Sequence, residues 1–290
     1  MEKKANLFIV TAAALWGCIG IFLKLLTAAG LTSMQSVAVR CATAALLYFF
    51  WLLFKDPTAL KIRLRDCKYF VGTGLCSLLF FNWCYFRTIQ TSSLSVAAVL
   101  LYTSPVFVML MSAIFFREPV TRSKLISLLL TFLGCMLVTG VLPLGSTSIS
   151  GKTVLFGLGS GFGYALYTIF GKFALAKYPS GTVTFYTFLF AALGAVPLSG
   201  LLHTPQLLLD WRVLVGGLSI GIFCCILPYL LYTEGLLHAQ AGKAAILATL
   251  EPFVASFIGI VCFREGITLF KLLGMAAIFT AILLLNKKDT

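Results

Sequence analysis

The chain has 290 residues, of which 60 % are hydrophobic and 11 % charged, and its mean hydropathy is +1.02. A soluble domain of this size carries about a quarter charged residues, so a water-soluble globular fold is excluded. The formal net charge of +13 raises nucleic acid as a partner, but the cations fall between apolar runs rather than on one basic face, which excludes that as well.

The apolar runs are about 20 residues long, the length that crosses a hydrocarbon core as a helix. They are continuous rather than alternating, so the other structure that satisfies every backbone group in lipid, a closed barrel, is ruled out. The chain is therefore expected to be an all-α membrane protein. The first run, 6–26, follows Met1-Glu2-Lys3-Lys4 and is too long for the apolar part of a secretory signal. Nine more follow at 34–54, 68–88, 94–116, 123–143, 153–175, 182–202, 212–233, 244–263 and 268–286. Turn residues mark the links, at Asp56-Pro57, Pro143 to Gly151, Pro179-Ser180-Gly181 and Thr204-Pro205. The terminal Lys287-Lys288 has the form of a dilysine retrieval signal and equally that of a cytoplasmic flank.

Lysine and arginine set the orientation. With ten alternating spans, Lys24, Arg87, Lys152, Arg212, Arg264 and Lys271 face one side, and Arg40 lies within span 2. The other fifteen of the 22 cations share the side of the N-terminus, which predicts a multi-pass protein of the cell membrane with both termini cytoplasmic.

The sequence repeats itself. At an offset of 147, Tyr85 matches Tyr232, Pro105 matches Pro252, and Phe116-Arg117-Glu118 matches Phe263-Arg264-Glu265. At an offset of 148, Ile21-Phe22-x-Lys24 matches Ile169-Phe170-x-Lys172. Ten spans thus divide into two five-helix repeats, 1–145 and 146–290. An odd number of spans turns the second copy upside down, the inverted construction of secondary transporters.

Glu251 is the sharpest single feature, a carboxylate near the middle of span 9 with apolar residues on both sides. A charge there costs about 2.5–3.5 kcal/mol on insertion scales, so it reads either as a cavity residue or as a neutral hydrogen-bonded one. Its place in the first repeat is Ser104. Pro105 and Pro252 stand at matching midpoints and free the carbonyls of Leu101 and Ala248, as helix kinks or gates. Trp16, Tyr102 and Tyr164 lie too deep for an interfacial aromatic belt, and with Asn82, Tyr85, Tyr229 and Tyr232 they are candidates to line a polar cavity. Arg40, Lys24, Lys172, Glu118 and Glu265 read as structural charges, snorkelling, paired or complementing helix ends. The small residues Gly157, Gly159, Gly161 and Gly163 suit close helix packing in span 6 rather than a nucleotide loop. The nine cysteines and two histidines have no metal-ligand spacing, no cofactor is indicated, and no catalytic constellation appears.

Taken together, Trp16-Gly17 followed by Lys24, Arg40, the aromatic end of span 3 at Tyr85, and the Pro105 and Pro252 helices each closing on Arg-Glu make a pattern. In this pattern the chain resembles the drug/metabolite transporter superfamily, in particular its EamA-type ten-helix members. The resemblance implies a central cavity surrounded by spans 1, 3, 4, 6, 8 and 9, with 2, 5, 7 and 10 outside. It also implies a small-molecule cargo drawn from a wide range of metabolites and drugs. The leading expectation is a secondary carrier that moves an amino acid or similar polar metabolite by alternating access, as an exporter. Proton-coupled antiport of organic cations through Glu251 is the alternative, and a membrane sensor or scaffold the reading outside transport. Partners are then the cargo, the lipid bilayer, protons in the antiport reading, and at most a second copy in a homodimer.

Overall fold

A computed structural model describes residues 2–141 and 150–286. Lys287-Lys288 and most of the 143–151 connection lie outside the described residues.

The described residues form ten helical rods. Eight are long and apolar enough to cross a membrane: α1 Glu2–Ala28, α2 Ser33–Lys55, α3 Leu64–Thr91, α4 Leu94–Phe116, α6 Gly151–Leu175, α7 Ser180–Leu198, α8 Trp211–His238 and α9 Ala241–Phe263. Between and after them lie α5 Arg122–Val138 and α10 Leu269–Asn286, of 17 and 18 residues. At 1.5 Å per residue these two reach about 25 Å, the short end of a spanning helix. Two helices stop short of expectation, whereas α8 runs on to His238 rather than 233 and α1 and α3 begin four residues early, at Glu2 and Leu64. Helix α5 stops at Val138 rather than 143 because Gly140 turns left-handed at φ 68°. Helix α7 stops at Leu198 rather than 202, just before Gly200 at φ 72°.

Side-chain oxygens start most of these helices. Thr32 and Gln35 form a reciprocal capping box at α2, and Ser93, Thr121 and Ser150 accept from the third amide of α4, α5 and α6. Helices α4 and α9 end alike, on Arg117 and Arg264 at φ 55°. The following amides close the turn, Glu118 N on Ser112 O at 3.2 Å and Glu265 N on Gly259 O at 3.0 Å. A non-glycine residue in the left-handed region is uncommon; the same residue in the same turn twice marks the duplication.

Packing follows the same exchange. Helix α1 packs on α8 and α9 while α6 packs on α3 and α4, and α2 pairs with α7 and α5 with α10. Swapping the two copies leaves this pattern unchanged, as a two-fold axis between them requires. With five helices per copy the axis lies in the membrane plane. The α6–α4 crossing is very close: a Cβ on Gly161 would sit 2.5 Å from Thr103 Oγ1 and 2.8 Å from the Leu100 carbonyl. Gly161→Ala should therefore destabilise by about 1–3 kcal/mol through overpacking. The check is the thermal midpoint in detergent, with Gly171→Ala as a neutral control, since its nearest atom is 3.9 Å away.

Candidate functional site: a central cavity between the repeats

Helices α4 and α9 are each broken at mid-length, α4 into Leu94–Leu101 and Ser104–Phe116, α9 into Ala241–Ala248 and Leu250–Phe263. The breaks come just ahead of Pro105 and Pro252, which cannot donate to a continuing ladder. There the chain tightens by one residue: Thr103 N bonds Leu100 O and Thr249 N bonds Ile246 O, at 3.3 and 3.1 Å. A new helix N-terminus thus lies in the interior of each repeat. Glu251 occupies the first turn of the second half of α9, where the positive end of the helix favours a negative charge. Its mate Ser104 opens the second half of α4 and is buried.

Helices α3 and α8 carry widened π turns, Gly72–Leu79 and Gly221–Ile226, just before Asn82 and Tyr229. Such turns concentrate at functional sites. The Asn82 amide nitrogen donates to Leu78 O at 2.7 Å, which leaves its oxygen to accept from Arg40 Nη2 at 3.1 Å. Across the opening, the Tyr164 hydroxyl donates to Glu251 Oε2 at 3.3 Å.

These side chains converge on one cavity of about 350 Å³. Trp16, Asn82, Tyr85, Tyr102, Tyr164, Tyr229 and Glu251 all line it. So do Ser36 and Arg40 of α2 and Phe188 of α7, which places on its wall two helices that the family resemblance put outside. Sequence reasoning separated Arg40 from the cavity residues because it stands about two turns into α2, within snorkelling reach of the interface, and its repeat counterpart is Thr187. The cavity runs from the mid-length breaks to the end formed by Thr27, Ser33, Ile89 and Leu94.

Its floor is aromatic. Trp16 meets Tyr229 and Tyr232 at 5.2 and 5.4 Å, Tyr167 meets Tyr229 at 4.9 Å, and Phe188 meets Tyr229 at 4.8 Å between ring centroids. Tyr232 lies in this floor, not on the large cavity, and shares a hydrogen bond with Thr168 at 2.8 Å. Tyr167 and Phe188 were missed from sequence. Tyr167 was legible as the residue one helical turn after Tyr164, on the same face; Phe188 gave no signal among 26 phenylalanines.

The sequence profile of the EamA-like transporter family matches residues 3–140 and again 151–287. The chain belongs to the EamA-like transporter family. It is 28 % identical over 280 residues to the threonine/homoserine exporter RhtA of Escherichia coli K12, covering 95 % of this chain and 88 % of that one. It is 27 % identical over 278 residues to an uncharacterised transporter of Archaeoglobus fulgidus, covering 95 % and 94 %. A crystal structure with 16 % sequence identity superposes with a TM-score of 0.81 over 99 % of this chain and 97 % of that one, which shows the shared fold. The chain is thus a multi-pass membrane transporter of two repeats.

In this EamA-like transporter the two ends of the cavity differ, although the repeat gives each of them a matching Glu and Lys. At one end Glu118 bridges the copies: Oε1 accepts from Lys172 Nζ at 2.7 Å and from the Ala241 amide at 2.8 Å, and Oε2 accepts from the Gly242 amide at 3.1 Å. Lys172 Nζ also donates to Ala239 O at 3.1 Å. The preceding Gln240 makes no side-chain cap, so a carboxylate from the other repeat caps α9 in its place. Burial alone would push the Glu118 carboxyl up, but Lys172 and the two amides outweigh it and hold it below the ordinary carboxylate value. A lowered value means that this contact is intact at neutral pH and is lost only as the pH falls through that lowered value.

At the other end the mates stay apart. Glu265 pairs with Lys271 of its own repeat at 2.9 Å and is half exposed. Lys24, the mate of Lys172, lies 3.2 Å from the Phe263 ring centroid. The N-terminus of α4 is capped by its own Ser93, which accepts from Val96 N at 3.2 Å. The cavity lining reaches the Thr27, Ser33, Ile89 and Leu94 end and includes neither Glu118 nor Lys172, whose bridge lies at the other end.

Proposed function

We propose that this protein is a secondary carrier that exports a small polar metabolite of the amino-acid type by alternating access, with both termini in the cytoplasm. The observation that carries this is the asymmetry of the two ends. Two related repeats hold one cavity at their interface, with the Glu118 bridge formed at one end and its Glu265 counterpart unformed at the other. A symmetric frame in an asymmetric state has a second state of similar construction, in which Glu265 reaches Lys24 and the first amides of α4 while the Glu118 bridge is open. One site is thereby exposed to each side in turn. With cytoplasmic termini the state described here is open to the outside. The likeness to a threonine/homoserine exporter supports a cargo of that size and polarity.

The test is counterflow in liposomes. Vesicles holding purified protein and unlabelled L-threonine should accumulate labelled L-threonine in a saturable manner, and L-homoserine inside should serve as well. Flux that rises linearly with concentration would indicate a channel, and no exchange of either amino acid would overturn the reading. Tags on both termini should be protected in sealed cells and reached only after permeabilisation.

A further inference from the structure

The cavity holds one charge of each sign. Among the described residues that line it, Arg40 and Glu251 alone are charged. They come from different repeats, α2 and α9, and no ion pair joins them among the described residues. Each is held by a neutral neighbour instead, Arg40 by Asn82 at 3.1 Å and Glu251 by Tyr164 at 3.3 Å. Each keeps bonding capacity in reserve. Arg40 Nε is buried with no partner in the protein, and Glu251 Oε1 accepts no bond from it. Buried opposite charges ordinarily close on each other, because an unpaired ion in a low-dielectric site is costly. Here both line one cavity and form no ion pair with each other.

We propose that Arg40 and Glu251 are the two poles of a zwitterion site, in which Arg40 receives the carboxylate of an α-amino acid and Glu251 its ammonium group. This deepens the exporter reading and rests on it. A guanidinium offers a planar fork of donors that matches a carboxylate in two parallel bonds. Asn82, locked by its bond to Leu78 O, holds that fork from one side. The ammonium group finds the free oxygen of Glu251, with Trp16 and Tyr164 beside it on the same wall. Charge balance selects the cargo class. An organic cation would neutralise Glu251 and leave Arg40 exposed to a second positive charge; an organic anion would do the reverse. A neutral sugar would satisfy neither. Only a molecule carrying both charges pairs each pole and still leaves the loaded site neutral, which is also the loaded form that crosses a membrane interior at least cost.

The experiment uses the full chain reconstituted in liposomes, with labelled L-threonine as the probe and three competitors. These are unlabelled L-threonine, L-threonine methyl ester (ammonium only) and N-acetyl-L-threonine (carboxylate only). In the parent protein each derivative should compete at least about 30-fold more weakly than L-threonine, the loss expected when one buried charge finds no partner. Glu251→Gln should weaken competition by L-threonine and shift relative preference toward N-acetyl-L-threonine, while Arg40→Gln should shift it toward the methyl ester. Opposite shifts in two variants cannot come from general misfolding. If a variant fails to fold, the competition series on the parent still decides. Competition by the methyl ester equal to that by L-threonine would overturn the two-pole site while leaving the exporter reading standing. Absence of any L-threonine or L-homoserine exchange in the parent would remove the exporter reading itself.

Discussion

Glu118→Gln should unlock the closed end and shift the protein toward the state open at that end by about 30- to 150-fold. Glu118 and Lys172 are largely buried, with side-chain exposures of 8 % and 25 %. Breaking a fully buried pair costs about 3–5 kcal/mol, and discounting for the exposure of Lys172 leaves about 2–3 kcal/mol. The substitution is conservative in shape, and the Gln oxygen can still accept from Ala241 or Gly242. What disappears is the charge that holds Lys172 and, through it, the Ala239 carbonyl. Hydrogen–deuterium exchange over 239–248 should accelerate in the variant, and counterflow should fall by at least about tenfold, since the proposed alternating-access cycle needs both ends to close. The mate substitution, Glu265→Gln, should leave exchange at the Glu118 end slow and impair transport by favouring the state described here. Unchanged exchange in the Glu118 variant would show that this bridge does not hold the end shut.

Trp16→Ala should cost about 3–5 kcal/mol, the range for removing a buried tryptophan, and should abolish transport. Trp16 is 8 % exposed and touches both Tyr229 and Tyr232 in the cavity floor. Its loss leaves a void in the layer that separates the open cavity from the small polar space beneath, where Ser77 and Tyr167 carry hydroxyls without a protein partner. The thermal midpoint should drop by several degrees, and labelled L-threonine trapped in vesicles should leak without counter-substrate. Trp16→Phe keeps a ring against both tyrosines and should lose far less. A Trp16→Ala variant that stays tight and fully active would mean that the floor is held by Tyr167 and Phe188 alone.

Much of this was legible before any coordinates. Lipid leaves the backbone so few solutions that ten apolar runs and a duplicated Pro and Arg-Glu pattern are enough to give ten helices in two inverted repeats. Boundaries slipped where a left-handed glycine, Gly140 or Gly200, ended a helix within an apolar run. Hydropathy does not register that signal. Glu251 stood out because an ion in a span has few neutral explanations, and Trp16, Asn82, Tyr102 and Tyr164 because their polar edges lie at its depth.

Partnership was not legible. Depth along a helix follows from residue number, but the direction in which a side chain faces depends on which helix packs against it. Arg40 looked like a snorkelling residue of an outer helix until α2 was seen to form cavity wall opposite α9. Tyr232 shares its depth with cavity residues and faces the floor instead. The ends show the same limit most clearly, since Glu118-Lys172 and Glu265-Lys24 are related by repeat and read alike in sequence. One pair meets at 2.7 Å and the other is unformed. The sequence determined the frame and its duplication, because both follow from local hydropathy and residue spacing. Which of the two equivalent ends is shut is a property of one conformation of that frame, and only the tertiary structure decides it.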